Sequence, residues 1–305
     1  MLIGPHPNLL PEGEEILRFA IFTSALIALI AFMAFLWSYR QMPSGFDPQA
    51  YYELLFWGGG HTLQFLHIQM LMVCWVLLMQ QVSGSRYQVS EKPNPLPATC
   101  YLIPIFSIPL IAALAVPFAY IQYNVDSAEH RNFFTQEMII AGGIAPTLLA
   151  LFIIPAAWRA RAKNALWSTL AMSLLLFIYG GALGEMIQGQ NVVIPAHYHG
   201  SIVGITLAFM GAAYLLLPEF GYRDVSTWKM AFWQPIVYGG GQLLHISGLA
   251  ISGGYGVLRK TPGGMDGLST GVKAAMGMMG LGGLIAIIGG FMFVIVVWRA
   301  VKRAR

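Results

Sequence analysis

Eight runs of apolar residues, each near the length of about twenty that a helix needs to cross the hydrocarbon core of a bilayer, decide the fold class of this chain. They fall at Ile16–Trp37, Tyr52–Met79, Pro97–Tyr123, Phe133–Trp158, Ala165–Glu185, Val192–Leu217, Trp228–Ile251 and Gly271–Trp298. In lipid every backbone N–H and C=O must find its partner within the structure, so only helices and closed barrels span. A barrel strand alternates apolar and polar residues, whereas these runs are continuously apolar. The expectation is an all-α polytopic helix bundle with about eight transmembrane helices, forming a single membrane domain over 1–305. Composition agrees: 57% of residues are hydrophobic, only 10% are charged and the mean hydropathy is +0.64. A water-soluble domain of this length does not show such values.

The net charge of +4 comes largely from loops and the tail, which fits membrane topology rather than nucleic-acid binding. The two cysteines, Cys74 and Cys100, both stand in apolar runs, so neither a disulfide framework nor a cysteine metal site is expected. The segment from Met1 to Glu15 is polar with no basic n-region, so it does not read as a cleaved signal peptide. Lys and Arg concentrate on the side holding both termini, among them Arg18, Arg86, Arg159, Lys163, Arg223, Lys229, Arg299 and Lys302. The opposite side has Arg40, Arg131, Arg259, Lys260 and Lys273. The positive-inside rule then puts both termini in the cytoplasm.

With that orientation His61, His197 and His199 sit a few turns below the outer surface, and His245 lies near the outer end of the seventh span. An ionisable residue at membrane depth points to function by default, because an unpartnered polar group in lipid is costly. Residues two apart on a helix point to nearly opposite sides, so one helix can present His197 and His199 to two neighbouring cofactors. Neutral imidazole is a common axial ligand of haem iron. The plainer alternative is a pair of histidines hydrogen-bonded to adjacent helices.

Glycine runs mark the same region: Gly58-Gly59-Gly60 before His61, Gly180-Gly181 before the loop leading to His197, and Gly239-Gly240-Gly241 before His245. They let helix backbones approach closely or let a flat macrocycle lie against a helix. His67 reads as a hydrogen-bonded helix-contact residue, and His130 and His6 as solvated. Glu137 and Glu185 read as interfacial or paired carboxylates, with proton relay as the alternative.

The stretch Ala196-His197-Tyr198-His199-Gly200, running on through Ala208-Phe209-Met210-Gly211 to Leu217-Pro218-Glu219-Phe220-Gly221-Tyr222, resembles the tenth helix of subunit I of the haem-copper oxidases and nitric oxide reductases. The resemblance implies that His197 is the proximal ligand of a high-spin haem and that His199 ligates a low-spin haem. Phe56-Trp57-Gly58-Gly59-Gly60-His61 is similar to the start of the sixth helix, whose histidine binds copper or non-haem iron. Gln242-Leu243-Leu244-His245 through Arg259-Lys260 resembles the eleventh helix and the basic pair that contacts haem propionates. Matched in order, the eight spans cover the last eight helices of that family.

The departures are equally specific. The family's first four helices are missing, and with them the histidine opposite His199. Met1 and its polar lead-in look like a genuine start, so a partner membrane subunit is expected to supply those helices and that ligand. Pro117-Phe118-Ala119-Tyr120 stands where adjacent metal-binding histidines are expected, and Phe65 where a tyrosine often stands. A metal held by His61 alone lacks the coordination that makes such a site tight.

The leading expectation is therefore a haem-binding subunit of a respiratory electron-transfer complex with a degenerate dinuclear metal site. It would carry one or two haems of b type, receive electrons from a cytochrome c or quinol and reside in a bacterial or archaeal inner membrane. His61 would then face the haem on His197 across a vacant pocket. The resemblance leaves two other readings: an oxygen or nitric oxide reductase completed by a partner chain, and a cofactor-free structural or assembly subunit.

Overall fold

A computed structural model describes residues 14–87, 99–160, 162–258 and 268–302. They form α1 (Glu14–Gln41), α2 (Pro48–Tyr87), α3 (Thr99–Gln122), α4 (Ala128–Ala160), α5 (Ala165–Gly184), α6 (Val193–Leu216), α7 (Lys229–Gly254) and α8 (Thr270–Lys302). Among the described residues the extended pairing is a single bridge between Asn191 and Leu258. The protein is an all-helical multi-pass membrane bundle. Helices α1, α2, α4, α7 and α8 run past their expected spans, as where Pro48–Tyr51 and Ala128–Asn132 continue the helix outside the apolar run, whereas α3, α5 and α6 fall within theirs.

Seven of these helices are long and apolar enough to cross a membrane by themselves, and α7 is not among them. The eighth, α7, takes its place in the expected bundle with a more polar composition. Its Gln234, three consecutive glycines, Gln242, His245 and Ser247 dilute the apolar content. Neighbouring helices satisfy the most buried of these groups: the Tyr214 hydroxyl donates to Gln234 Oε1 at 3.0 Å, and Gln234 Nε2 donates to the Gly289 carbonyl at 3.3 Å. Conversely α8 carries an exposed apolar stripe, Leu284, Ile287, Ile288, Phe291, Val294 and Trp298, at helical spacing. Phe291 is 65% exposed, an arrangement suited to lipid and unfavourable in water.

The chain divides into two compact units. The first, Met1–Val73 with Asn94–Phe152, holds α1, α3 and the larger parts of α2 and α4. Gln69 of α2 joins its helices, donating to Thr23 Oγ1 of α1 at 2.7 Å and to the Phe106 carbonyl of α3 at 3.0 Å. Ser38 of α1 and the Tyr120 hydroxyl of α3 share a hydrogen bond of 2.8 Å. Around it Ala34, Val116, Ala119, Tyr120, Val125 and Phe134 form an apolar core.

The second unit, Cys74–Pro93 with Ile153–Arg305, holds α5 to α8 and the ends of α2 and α4. Asn164 caps α5 by accepting from the Trp167 N–H at 2.8 Å. Trp75 Nε1 donates to Ser173 Oγ at 2.8 Å, and that hydroxyl donates to the Gly204 carbonyl of α6 at 2.7 Å. Small residues set the helix spacing: Gly180 of α5 meets Gly200 of α6, and Gly241 and Gly248 of α7 meet Ala286 and Met279 of α8.

Candidate functional site

Helix α6 begins at Val193, so His197 and His199 lie in its first two turns. Its start is fixed from outside: Val192 N–H donates to the Val257 carbonyl at 3.0 Å, and Asn191 Oδ1 accepts from the Val193 N–H at 3.0 Å. The bridge between Asn191 and Leu258 brings the chain following α7 to the entrance of α6. Arg259 and Lys260 come next in sequence and lie outside the described residues, as does His6.

His197 points toward α5. Gly180 and Gly200 bring the two backbones into contact, and a Cβ at Gly184 would stand 2.7 Å from His197 Nδ1. That nitrogen is 2.7 Å from the Gly180 carbonyl. A carbonyl only accepts, so Nδ1 carries the proton and Nε2 keeps its lone pair. The same logic holds for His245, whose Nδ1 lies 2.9 Å from the Met279 carbonyl of α8, and for His61, whose Nδ1 lies 2.6 Å from the Trp57 carbonyl one turn earlier. Three of the four singled-out histidines thus hold the tautomer in which imidazole binds metals through Nε2, with the other nitrogen anchored by a main-chain acceptor.

His199, two residues from His197, turns to a different neighbour. Its ring centre lies 5.4 Å from that of His245 of α7, with 43° between the ring planes, and 5.0 Å from that of Tyr198. Among the described residues its ring has no hydrogen-bond partner. Both His199 and His245 are half-buried.

In the first unit His61 stacks against Trp57, with ring centres 4.6 Å apart, and lies 6.2 Å from Phe134. The positions where the resemblance leads one to expect paired metal-binding histidines, at Ala119 and Tyr120, and a tyrosine, at Phe65, are packed with other groups. Ala119 and Phe65 are wholly buried in apolar surroundings, and Tyr120 is engaged by Ser38 and stacked on Trp37 at 5.3 Å. Among the described residues no three His, Cys, Asp or Glu side chains gather as a metal-binding group.

Three polar residues, His130, Glu137 and His67, differ from their sequence reading. His130 is not solvated: it is fully buried in the first turn of α4, against the rings of Tyr120 at 4.9 Å and Phe134 at 5.0 Å, and neither ring nitrogen has a partner. Glu137, seven residues on and therefore on the same face of α4, has both carboxylate oxygens buried without a partner. The missed signal is Ser127, whose hydroxyl accepts from the His130 N–H at 3.1 Å and starts α4 before its apolar run. His67 is exposed rather than hydrogen-bonded, and Glu185 is an exposed cap residue of α5.

No family model matches the chain. It is 32% identical over 326 aligned residues to an uncharacterized protein of Rickettsia prowazekii (strain Madrid E), covering 92% of this chain and 62% of that protein. It is 25% identical over 210 residues to an uncharacterized protein of Aquifex aeolicus (strain VF5), covering 69% of this chain and 50% of that one. The chain thus spans less than two thirds of the length of the curated relatives it matches. Among solved structures it resembles a chain of a haem-copper terminal oxidase dimer, with a TM-score of 0.66 and 14% identity over 92% of this chain and 56% of that chain. At that identity the likeness is one of fold: this protein carries the helical membrane architecture seen in a haem-copper terminal oxidase.

Proposed function

We propose that the chain is a haem-binding membrane subunit of a respiratory electron-transfer complex, built like the C-terminal part of an oxidase subunit I. The observation that carries this reading is the state of His197, which holds Nε2 free by giving Nδ1–H to the Gly180 carbonyl. His197 would hold one haem and His199 another, its opposite ligand coming from a partner membrane subunit, in a bacterial inner membrane with both termini in the cytoplasm. A bound haem supplies one-electron redox chemistry. The chain's own contribution is axial imidazole, burial and charge, the levers that set a haem's potential. A cytochrome c or quinol is the donor class this role requires. His61 alone makes a poor copper or non-haem iron site, and the packing of Ala119, Tyr120 and Phe65 supports a vacant second-metal position.

The test is a reduced-minus-oxidised optical spectrum of the purified complex, with haem, copper and iron counted per chain. Haem without a second metal is expected. Haem with one stoichiometric copper or non-haem iron at His61 would instead make the complex a reductase whose metal site a partner completes, and neither cofactor would leave a structural or assembly subunit.

Arg259 and Lys260 are placed by this reading at haem propionates, a role supported by the bridge that ties the preceding residue to the start of α6. Cations beside a haem favour its more negative, reduced form. Replacing both with Gln is expected to lower a haem midpoint potential in a spectroscopic redox titration. An unchanged potential with haem still bound would reduce the pair to an interfacial anchor.

A further inference from the structure

We infer that His245 is the positioning residue of His199, accepting the His199 Nδ1 proton on its own Nε2 and so orienting that ring as a metal ligand. The inference rests on the haem reading above. A ligating histidine almost always donates its second N–H to an acceptor, and His199 has no such acceptor among the described residues other than the ring beside it. His245 is prepared for this, because its Nδ1–H is already given to the Met279 carbonyl and its Nε2 can only accept. A chain of two hydrogen bonds then runs from Met279 through His245 to His199.

Packing separates this role from the obvious alternative, that the two histidines are the paired axial ligands of one haem. Two imidazoles joined by an N–H···N bond of roughly 2.9 Å have ring centres about 5 Å apart. Two imidazoles on opposite sides of one metal, each bonded at about 2.0–2.1 Å, have centres about 6 Å apart. The observed 5.4 Å lies between these values, so the helices decide. Helices α6 and α7 touch beside the pair: a Cβ on Gly200, next to His199, would stand 3.2 Å from the side chain of Ile246, next to His245, and one on Gly253 would stand 2.7 Å from the Val193 nitrogen. A macrocycle has no room between helices held so closely. The two ring centres, 5.4 Å apart at a 43° tilt, stand within about half an ångström of the separation that the N–H···N bond requires.

An acceptor on Nδ1–H raises the basicity of a ligating imidazole and stabilises ferric over ferrous iron. His245→Phe fills the same space without an acceptor, His245→Met leaves only a weakly accepting thioether sulfur, and His245→Gln restores a strong acceptor through its amide oxygen. In the purified complex, redox titration of the six-coordinate haem is expected to show an upward shift for Phe and Met. A tenfold change in the ferrous-to-ferric ratio corresponds to about 59 mV for one electron. The Gln variant should return most of the way, with the low-spin ferric electron-spin resonance signal following the same order. Equal shifts in all three variants, or none, with haem still bound would overturn the role of His245 and leave the haem reading intact. Six-coordinate haem that survives His199→Ala would overturn both the role of His245 and the assignment of His199 as a haem ligand.

Discussion

Replacing His199 with Ala is expected to abolish a six-coordinate haem signal in the optical spectrum of the purified complex while sparing haem bound through His197. The two histidines are separable because they stand on different faces of α6: His197 is directed at the Gly180 carbonyl of α5, and His199 at the ring of His245 on α7. Alanine leaves an imidazole-sized gap in a half-buried position, and the helix itself loses nothing by propensity. Loss of an axial ligand removes the strong ligand field on one haem outright, so the outcome is presence or absence rather than a graded shift. Full retention of six-coordinate haem in the variant would show that His199 serves only protein contacts. Because the proposed opposite ligand belongs to another subunit, the variant should also loosen association with that subunit, which co-purification would reveal.

The second large effect concerns Gly248. A Cβ there would stand 2.5 Å from both the Ala275 carbonyl oxygen and the Met279 nitrogen. These are backbone atoms of α8, so no side-chain rotation relieves the overlap and the helices must separate. Gly248→Leu is expected to cost about 3 kcal/mol, the upper end of ordinary overpacking, and to lower the apparent melting temperature in detergent by several degrees. Gly277, on α8 itself, is the internal control: a Cβ there meets nothing within 4 Å. Gly277→Ala should leave stability unchanged or raise it by up to about 1 kcal/mol through helix propensity. Equal melting of the Leu variant and the unsubstituted protein would mean that α7 and α8 do not pack backbone to backbone. The same contact carries the Met279 carbonyl to His245, so a destabilised α7–α8 pair should also perturb the haem proposed at His199.

The apolar runs made the helical membrane class legible, because lipid imposes a length and a hydrogen-bonding rule that act within each segment. The 100° turn per residue likewise separated His197 from His199 before any contact was known. Segment-level reasoning failed where partners came from elsewhere in the chain. Helix α7 carries polar residues that its own segment does not satisfy, and its fully buried Gln234 finds partners in Tyr214 and Gly289. His130 looked solvated beside Asp126, Glu129 and Arg131, but Ser127 begins the helix early and turns it inward against Tyr120 and Phe134.

The sequence by itself determined the class, the approximate spans and the residue types able to ligate a metal, since hydrophobic length and helical period are local properties. Only the tertiary structure decided which nitrogen of each imidazole is held and which helices meet. The acceptor for His197 lies 17 residues away on α5, the acceptor for His245 lies 34 away on α8, and glycine contacts between backbones bring them within reach. Hydrogen bonds over such separations depend on how whole helices pack, and no local periodicity encodes that packing.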